Sequence, residues 1–186
     1  MIYNEHYNLE GKHAFLGASS SSWLNYTPER LQDVYLNMLK KEKGTELHAL
    51  ASSAINNHVK FARLKKALNL FVNDAIGFKM ESERVLYYSD NCFGTADAIC
   101  FRDGLLRIHD LKTGDIPVKH FNQLNIYAAL FCLEYDVDPM KIDIVERLYQ
   151  GTEYHENVPE QEQIADIMKL VVAFDREIDK LKMERR

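Results

Sequence analysis

The spacing of apolar positions changes along the chain and divides it into helical and extended regions. Between residues 31 and 76, Leu31, Val34, Tyr35, Met38 and Leu39, then Leu47, Leu50, Ala51, Ala54, Ile55, Val59, Ala62 and Leu68, recur at three- and four-residue steps. That period predicts helices. The serines Ser19 to Ser22 offer hydroxyls to cap a first turn, and Pro28 can open one. Gly44 is expected to break the run, leaving a second helical region over 45–76, in one piece or broken. From about residue 83 the period falls to two. Strands are predicted at 84–88, 93–101 and 105–112, with Asp103-Gly104 as a two-residue hairpin turn between the last two. Pro117 is expected to open a helix that runs to Glu134 and carries Leu124, Tyr127, Ala128 and Phe131 on one face. A fourth strand is predicted over 141–149. A long amphipathic helix follows over about 157–184, with Ile164, Ile167, Met168, Val171, Phe174, Ile178 and Leu181 as its stripe. Helix, three-strand meander, helix, strand, helix is the order of an α/β fold: one mixed central sheet flanked by helices.

Composition narrows the class. The 186 residues suit one domain, expected to occupy 1–186, with 46% hydrophobic and 27% charged residues. The net charge of −5 argues against a protein held to nucleic acid by bulk positive charge. It leaves room for a local basic track. Lys40, Lys41, Lys43, Lys60, Arg63, Lys65 and Lys66 outweigh Glu42 and Glu46 within 40–66, while 134–186 is acidic. Three cysteines, Cys92, Cys100 and Cys132, make an odd number without CxxC spacing. They give neither a disulfide framework nor a four-cysteine metal site, and they suit a reducing cytoplasm. No apolar run approaches the roughly 18–20 residues of a membrane span, so no membrane partner is expected. Residues 1–11 are polar, with Glu5 and Glu10, unlike a signal peptide.

Chemistry concentrates in the meander. Asp110 and Lys112 are two apart on a predicted strand and so share a face, while Leu111 points into the core. A regular hairpin about Asp103-Gly104 places opposite each other residues whose numbers add to about 207, which brings Asp97 beside Asp110. Two adjacent carboxylates repel unless a cation bridges them, and hard oxygen ligands suit Mg²⁺ or Mn²⁺. An ammonium group beside them can neutralise developing phosphate charge or orient water. A surface Asp–Lys ion pair is the plainer reading of the same residues.

Gly94-Thr95-Ala96-Asp97, Asp110-Leu111-Lys112-Thr113-Gly114 and Gln123-Leu124-Asn125-Ile126-Tyr127 stand in the order G-x-x-D, D-x-K-T-G, Q-x-x-x-Y. Upstream, Gly44-Thr45-Glu46-Leu47-His48 reads as G-x-x-x-H, and Ser19 to Trp23 with Thr27-Pro28 as an S-x-S start. Together these resemble the PD-(D/E)XK nuclease superfamily and, more narrowly, its RecB-like exonuclease branch, over about residues 17–150. The resemblance implies a restriction-endonuclease-like core. It implies that Asp97, Asp110, His48 and the main-chain carbonyl of Leu111 ligate the metal and that Lys112 is the catalytic lysine. Gln123 and Tyr127 would meet DNA phosphates or brace the lysine. Thr113 would shape the turn beside it, and Lys119 and His120 would reach substrate. Glu46, two residues from His48, faces elsewhere on the helix.

The chain departs from this pattern in places. Many relatives carry an acid four residues after the histidine, where Ser52 stands. Tyr26-Thr27-Pro28 lacks the cysteine of iron–sulfur members, and no cysteine follows Cys132. No iron–sulfur cluster is therefore expected, and the three cysteines are read as buried apolar residues. The resemblance implies a Mg²⁺- or Mn²⁺-dependent deoxyribonuclease, an exonuclease of recombination or replication in the manner of phage-encoded single-domain forms. Its expected setting is the cytoplasm of a bacterial cell or phage-infected host. DNA would be bound largely without sequence preference. The alternatives are an endonuclease on the same fold and a non-catalytic DNA- or protein-binding module. A homo-oligomer, or a recombination or replication partner protein, is left open.

Overall fold

The structure is a computed structural model that describes Tyr7, residues 14–18 and residues 20–184. Ser19 of the serine run, and most of the residues 1–11 read above for a leader, lie outside the described residues. The chain divides into two compact units, residues 1–43 and 44–186. In the first, the serines do not cap a helix directly: Ser21–Asn25 forms a 3-10 turn, and helix α1, Pro28–Asn56, opens at the proline as expected. Helix α1 continues across the division into the second unit.

The second unit is a five-stranded sheet with helices against both faces. Its strands are β1 (Glu81–Ser89), β2 (Cys92–Arg102), β3 (Leu105–Lys112), β4 (Asp143–Gln150) and β5 (Glu153–Asn157), in that spatial order. Strands β3 and β4 pair in parallel and all other neighbours are antiparallel. The mixed α/β sheet is thus the expected one. Helices α3 (Asn122–Glu134) and α4 (Gln161–Glu184) complete the chain. One apolar cluster joins Leu86, Leu106, Ile108 and Ile144 of the sheet to Leu124, Ala128 and Ile164 of these helices. The other joins Ala98, Leu111 and Tyr149 to Ala51 and Ile55 of α1 and to Phe71, Val72 and Ala75 of helix α2 (Ala67–Gly77).

The ends of α2 and α3 fall where the sequence places them, while several other helix boundaries differ. Gly44 does not break α1: it is buried within it, and a Cβ there would lie 2.8 Å from Thr113 Oγ1. The glycine marks a close approach of backbone to side chain, not a stop. The real stop is at His58, whose φ is 55°. There the Val59 N–H donates to the Ala54 carbonyl at 2.8 Å and the His58 N–H to that of Ile55 at 3.0 Å, which is a Schellman ending without glycine. Lys79 ends α2 and Asp136 ends α3 in the same way, with φ of 54° and 53°. Of the two forms expected for the helical region 45–76 the broken one is found, with an irregular segment over 57–66. Pro117 does not open α3, which starts five residues later at Asn122. Strand β5 is polar and exposed at the sheet edge, so it carries no apolar period to reveal it. Its presence means that α4 starts at Gln161, not near 157. Of the cysteines, Cys132 alone is buried, with its thiol pushed up to about 11 by desolvation; Cys92 and Cys100 are half-buried.

Candidate metal and phosphodiester site

The Asp103-Gly104 turn has both residues at positive φ, 51° and 77°, as a type I′ hairpin requires. The β2–β3 register follows it without interruption: Arg102 faces Leu105 and Ala98 faces His109, so numbers add to 207 throughout. The register ends at Ala98 and His109, and Asp97 and Asp110 follow just beyond that last pair. The side chain of Asp97 also reaches along the strand, where its Oδ2 accepts the Leu111 N–H at 2.7 Å. Leu111 itself is buried on the α2 side and anchors β3 there.

Asp110 and Lys112 share the α3 face. Asp110 is 2% exposed, and the Lys112 ammonium donates to its Oδ1 at 3.1 Å. The same Nζ lies 2.9 Å from Oδ2. That second contact is electrostatic only, and Oδ2 is left buried without a hydrogen bond. Burial pushes the Asp110 carboxyl up, and the charge of Asp97 adds to it, against the Lys112 ammonium. Lys112 also donates to Gln123 Oε1 at 2.7 Å, and Gln123 Nε2 donates to the Tyr127 hydroxyl at 2.9 Å. Gln123 and Tyr127 thus brace the lysine, one of the two roles expected of them. Gly94 completes this arrangement from β2: a Cβ there would come within 2.8 Å of the Tyr127 ring. The glycine of the G-x-x-D pattern is thus required by packing.

His48 reaches the cluster from α1. Its Nδ1 is 3.3 Å from Asp97 Oδ1, and this contact raises the imidazole pKa against the opposing effect of burial. Glu46 is exposed on another side of the helix. Ser52 turns instead to β1, with its hydroxyl 2.9 Å from that of Ser82. The carboxylate absent at position 52 has a counterpart in Glu83, which the sequence reading missed. Glu83 lies opposite Asp97 across the β1–β2 ladder, between the pairs Ser82–Ala98 and Arg84–Ala96. Its φ of 51° takes it out of regular strand conformation. Ligand atoms of His48, Glu83 and Asp97 all lie within 4.8 Å of one another, a grouping that could hold a metal ion. Burial raises the Glu83 pKa, and the neighbouring Asp97 charge raises it further. The donor set of carboxylates and imidazole, with an orphaned buried oxygen on Asp110 beside it, fits a divalent cation.

The remaining expected residues lie on the loop 113–121. Thr113 packs against Gly44, while Lys119 and His120 are exposed and make no described contact with the cluster. Gln150, at the end of β4 and paired with Lys112, holds this loop. Its Nε2 donates to the carbonyls of Gly114 at 2.7 Å and Ile116 at 2.8 Å, and its Oε1 accepts the Val118 N–H at 2.9 Å. This residue too went unread, although the carboxyl end of a strand parallel to β3 is where a loop-holding side chain would be sought.

Among the described residues, no helix is long and apolar enough to cross a membrane. Residues 79–171, half of the chain, match the family described as "Protein of unknown function (DUF2800)", and the chain belongs to that family. The matched span includes Glu83, Asp97, Asp110, Lys112, Gln123, Tyr127 and Gln150, and excludes His48. No curated protein and no solved structure matches the chain.

Proposed function

We propose that this DUF2800 member is a Mg²⁺- or Mn²⁺-dependent deoxyribonuclease with a PD-(D/E)XK core of the RecB-like branch. Its substrate is DNA and its mode exonucleolytic, in the service of recombination or replication. The observation that carries the reading is the convergence on one sheet end of Asp97, Asp110 and Lys112, with His48 and Glu83 beside them and one Asp110 oxygen left without a hydrogen bond. A carboxylate buried beside a second one, with one oxygen held only by the charge of Lys112, is costly in a merely structural role.

Asp97 and Asp110, with His48 and Glu83, would hold the cation. When bound, the cation supplies a water of lowered pKa and polarises the scissile phosphate. The protein's own part is placement. Lys112, held between Asp110 and Gln123, presents an ammonium group where the phosphate gains charge and where an attacking water must be oriented. Gln123 and Tyr127 fix the lysine rotamer, which limits the freedom lost on reaching the reactive geometry. Water adds to phosphorus in line with the leaving sugar oxygen, so one P–O bond forms and one breaks. Lys60, Arg63, Lys65 and Lys66 are exposed on the segment between α1 and α2 and can meet the DNA backbone, whose binding then weakens with salt.

The test is hydrolysis of linear and covalently closed circular DNA with Mg²⁺, Mn²⁺ or EDTA. Metal-dependent loss of linear DNA, absent in Lys112→Ala, is the expected result. Cutting of closed circles replaces the exonuclease with an endonuclease on the same residues. DNA retention on a gel without hydrolysis in any metal sinks the enzymatic reading and leaves a binding module.

A further inference from the structure

The first unit carries chemistry that the carboxylate cluster does not use. Its 3-10 turn presents Trp23, the one tryptophan of the chain, and Tyr26 follows it. Both rings are held. Trp23 Nε1 donates to the Gly17 carbonyl at 3.0 Å, and the Tyr26 hydroxyl is 3.3 Å from Ser22 Oγ. Facing them is one stripe of α1: Arg30, Val34, Asn37, Met38 and Lys41, at helical spacing. Between turn and helix is a cleft of about 390 Å³, lined also by Phe15. Its two cationic residues, Arg30 and Lys41, are eleven positions apart, roughly 16 Å along the helix at 1.5 Å per residue.

We propose that this cleft binds a single-stranded DNA segment, with an unpaired base against Trp23 and Tyr26 and flanking phosphates on Arg30 and Lys41. Fixed aromatic rings set among cations are the combination that sequence-tolerant single-strand binding uses. A duplex is disfavoured because its base faces are already stacked on one another. The guanidinium fork of Arg30 suits phosphate oxygens, and Ser22 and Asn37 add neutral hydrogen-bonding groups. A groove for an apolar peptide would need neither cation. The inference deepens the nuclease reading and rests on it for the identity of the strand as DNA. Strand capture in this cleft can nevertheless be measured without hydrolysis.

Because Trp23 is the sole tryptophan, its fluorescence reports the cleft directly. The full-length protein is titrated in EDTA with an oligothymidylate of about ten nucleotides. Quenching that saturates is expected. Arg30→Ala should weaken binding about tenfold and lower the slope of log affinity against log salt by about 0.7, the value for one phosphate contact on a single strand. Trp23→Ala, followed with a dye-labelled oligonucleotide, should lose about tenfold or more, and Trp23→Phe should recover most of that loss. No quenching, an unchanged salt slope in Arg30→Ala, equal affinity for duplex, or displacement by polyglutamate would each overturn the proposal. Quenching without metal-dependent hydrolysis in the separate assay would instead sink the nuclease reading and leave a single-strand binder.

Discussion

Asp110 and Glu146 are two buried carboxylates on neighbouring strands of one sheet, on the same face, and burial raises the pKa of both. Their surroundings differ completely. Glu146 is ringed by neutral amides: Asn157 Nδ2 donates to it at 2.8 Å, and the Asn125 amide, turned over from its placement so that its nitrogen faces a carboxylate and its oxygen a donor, gives both Glu146 oxygens a hydrogen bond at 2.9 and 3.0 Å. Asn125 in turn accepts from Gln163 at 3.2 Å. Asp110 instead faces a second carboxylate and an ammonium group and keeps an oxygen without a hydrogen bond. A satisfied neutral network rigidifies a core, whereas mixed charges around a buried carboxylate are the kind of arrangement that gathers at functional sites. Burial of a carboxylate alone therefore says little about its role. The identity of its partners says more.

Substitution should separate the two roles most sharply. Asp110→Asn is expected to lower DNA hydrolysis on the order of a thousandfold, measured in single-turnover assays, while the unfolding midpoint stays the same or rises, since it removes a like-charge repulsion. Glu146→Ala should do the reverse. It strands the amides of Asn125 and Asn157, so urea unfolding should show a loss of about 3 kcal/mol with per-molecule activity retained. An Asp110→Asn chain that unfolds, or a Glu146→Ala chain that is stable but inactive, would collapse the distinction.

Cations provide the next contrast. Mn²⁺ at a hundred times its dissociation constant should stabilise the wild type by about 2.7 kcal/mol, seen as a rise in Tm that EDTA reverses. The gain should be much smaller in Asp110→Asn and intact in Glu146→Gln.

Proton linkage gives an effect of similar size, which comparison with Glu146→Gln isolates at Glu146. Burial raises its carboxyl from 4.5 to about 7, so the folded chain keeps a proton that the unfolded chain gives up. Its contribution is complete below about pH 4.5 and is lost as pH rises toward 7, by as much as about 3 kcal/mol. The stability difference between wild type and Glu146→Gln should therefore drift against the wild type across that interval, by urea unfolding at several pH values. A flat difference would mean that the surrounding amides cancel the desolvation. Smallest of all, Gly44→Ala should cost about 1 kcal/mol, through the 2.8 Å approach to Thr113 Oγ1, and Thr113→Ala in the same chain should recover part of it.

Legibility followed the turns. Asp97, Asp110 and Lys112 could be brought together on paper because Asp103-Gly104 announces its own geometry and the ladder beyond it is regular. Glu83 could not. The β1–β2 hairpin starts with Ser89 opposite Cys92, a register that would set Arg84 against Asp97. A bulge between Tyr87 and Ser89 shifts the ladder by one residue and brings Glu83 there instead. One irregular residue thus exchanges a cation for a carboxylate at the site, and nothing in the local composition signals it. The stop of α1 at His58 escaped for a related reason, since the glycine that usually marks such an ending is absent, whereas the ends of α2 and α3 fall where the apolar period runs out. Gln150 depends on a parallel pairing between strands about forty residues apart, which no local period encodes.

The three bonds from Gln150 to the loop 114–118 join an uncharged amide to backbone groups. Ionic strength and ordinary shifts of pH leave such a latch untouched. The loop beside Lys112 should then keep its position in concentrated salt while the grip on a charged strand fades. For the experimentalist this makes sodium chloride an instrument for the proposed function: it should weaken the hold on DNA that the proposal requires and leave the Gln150 latch in place.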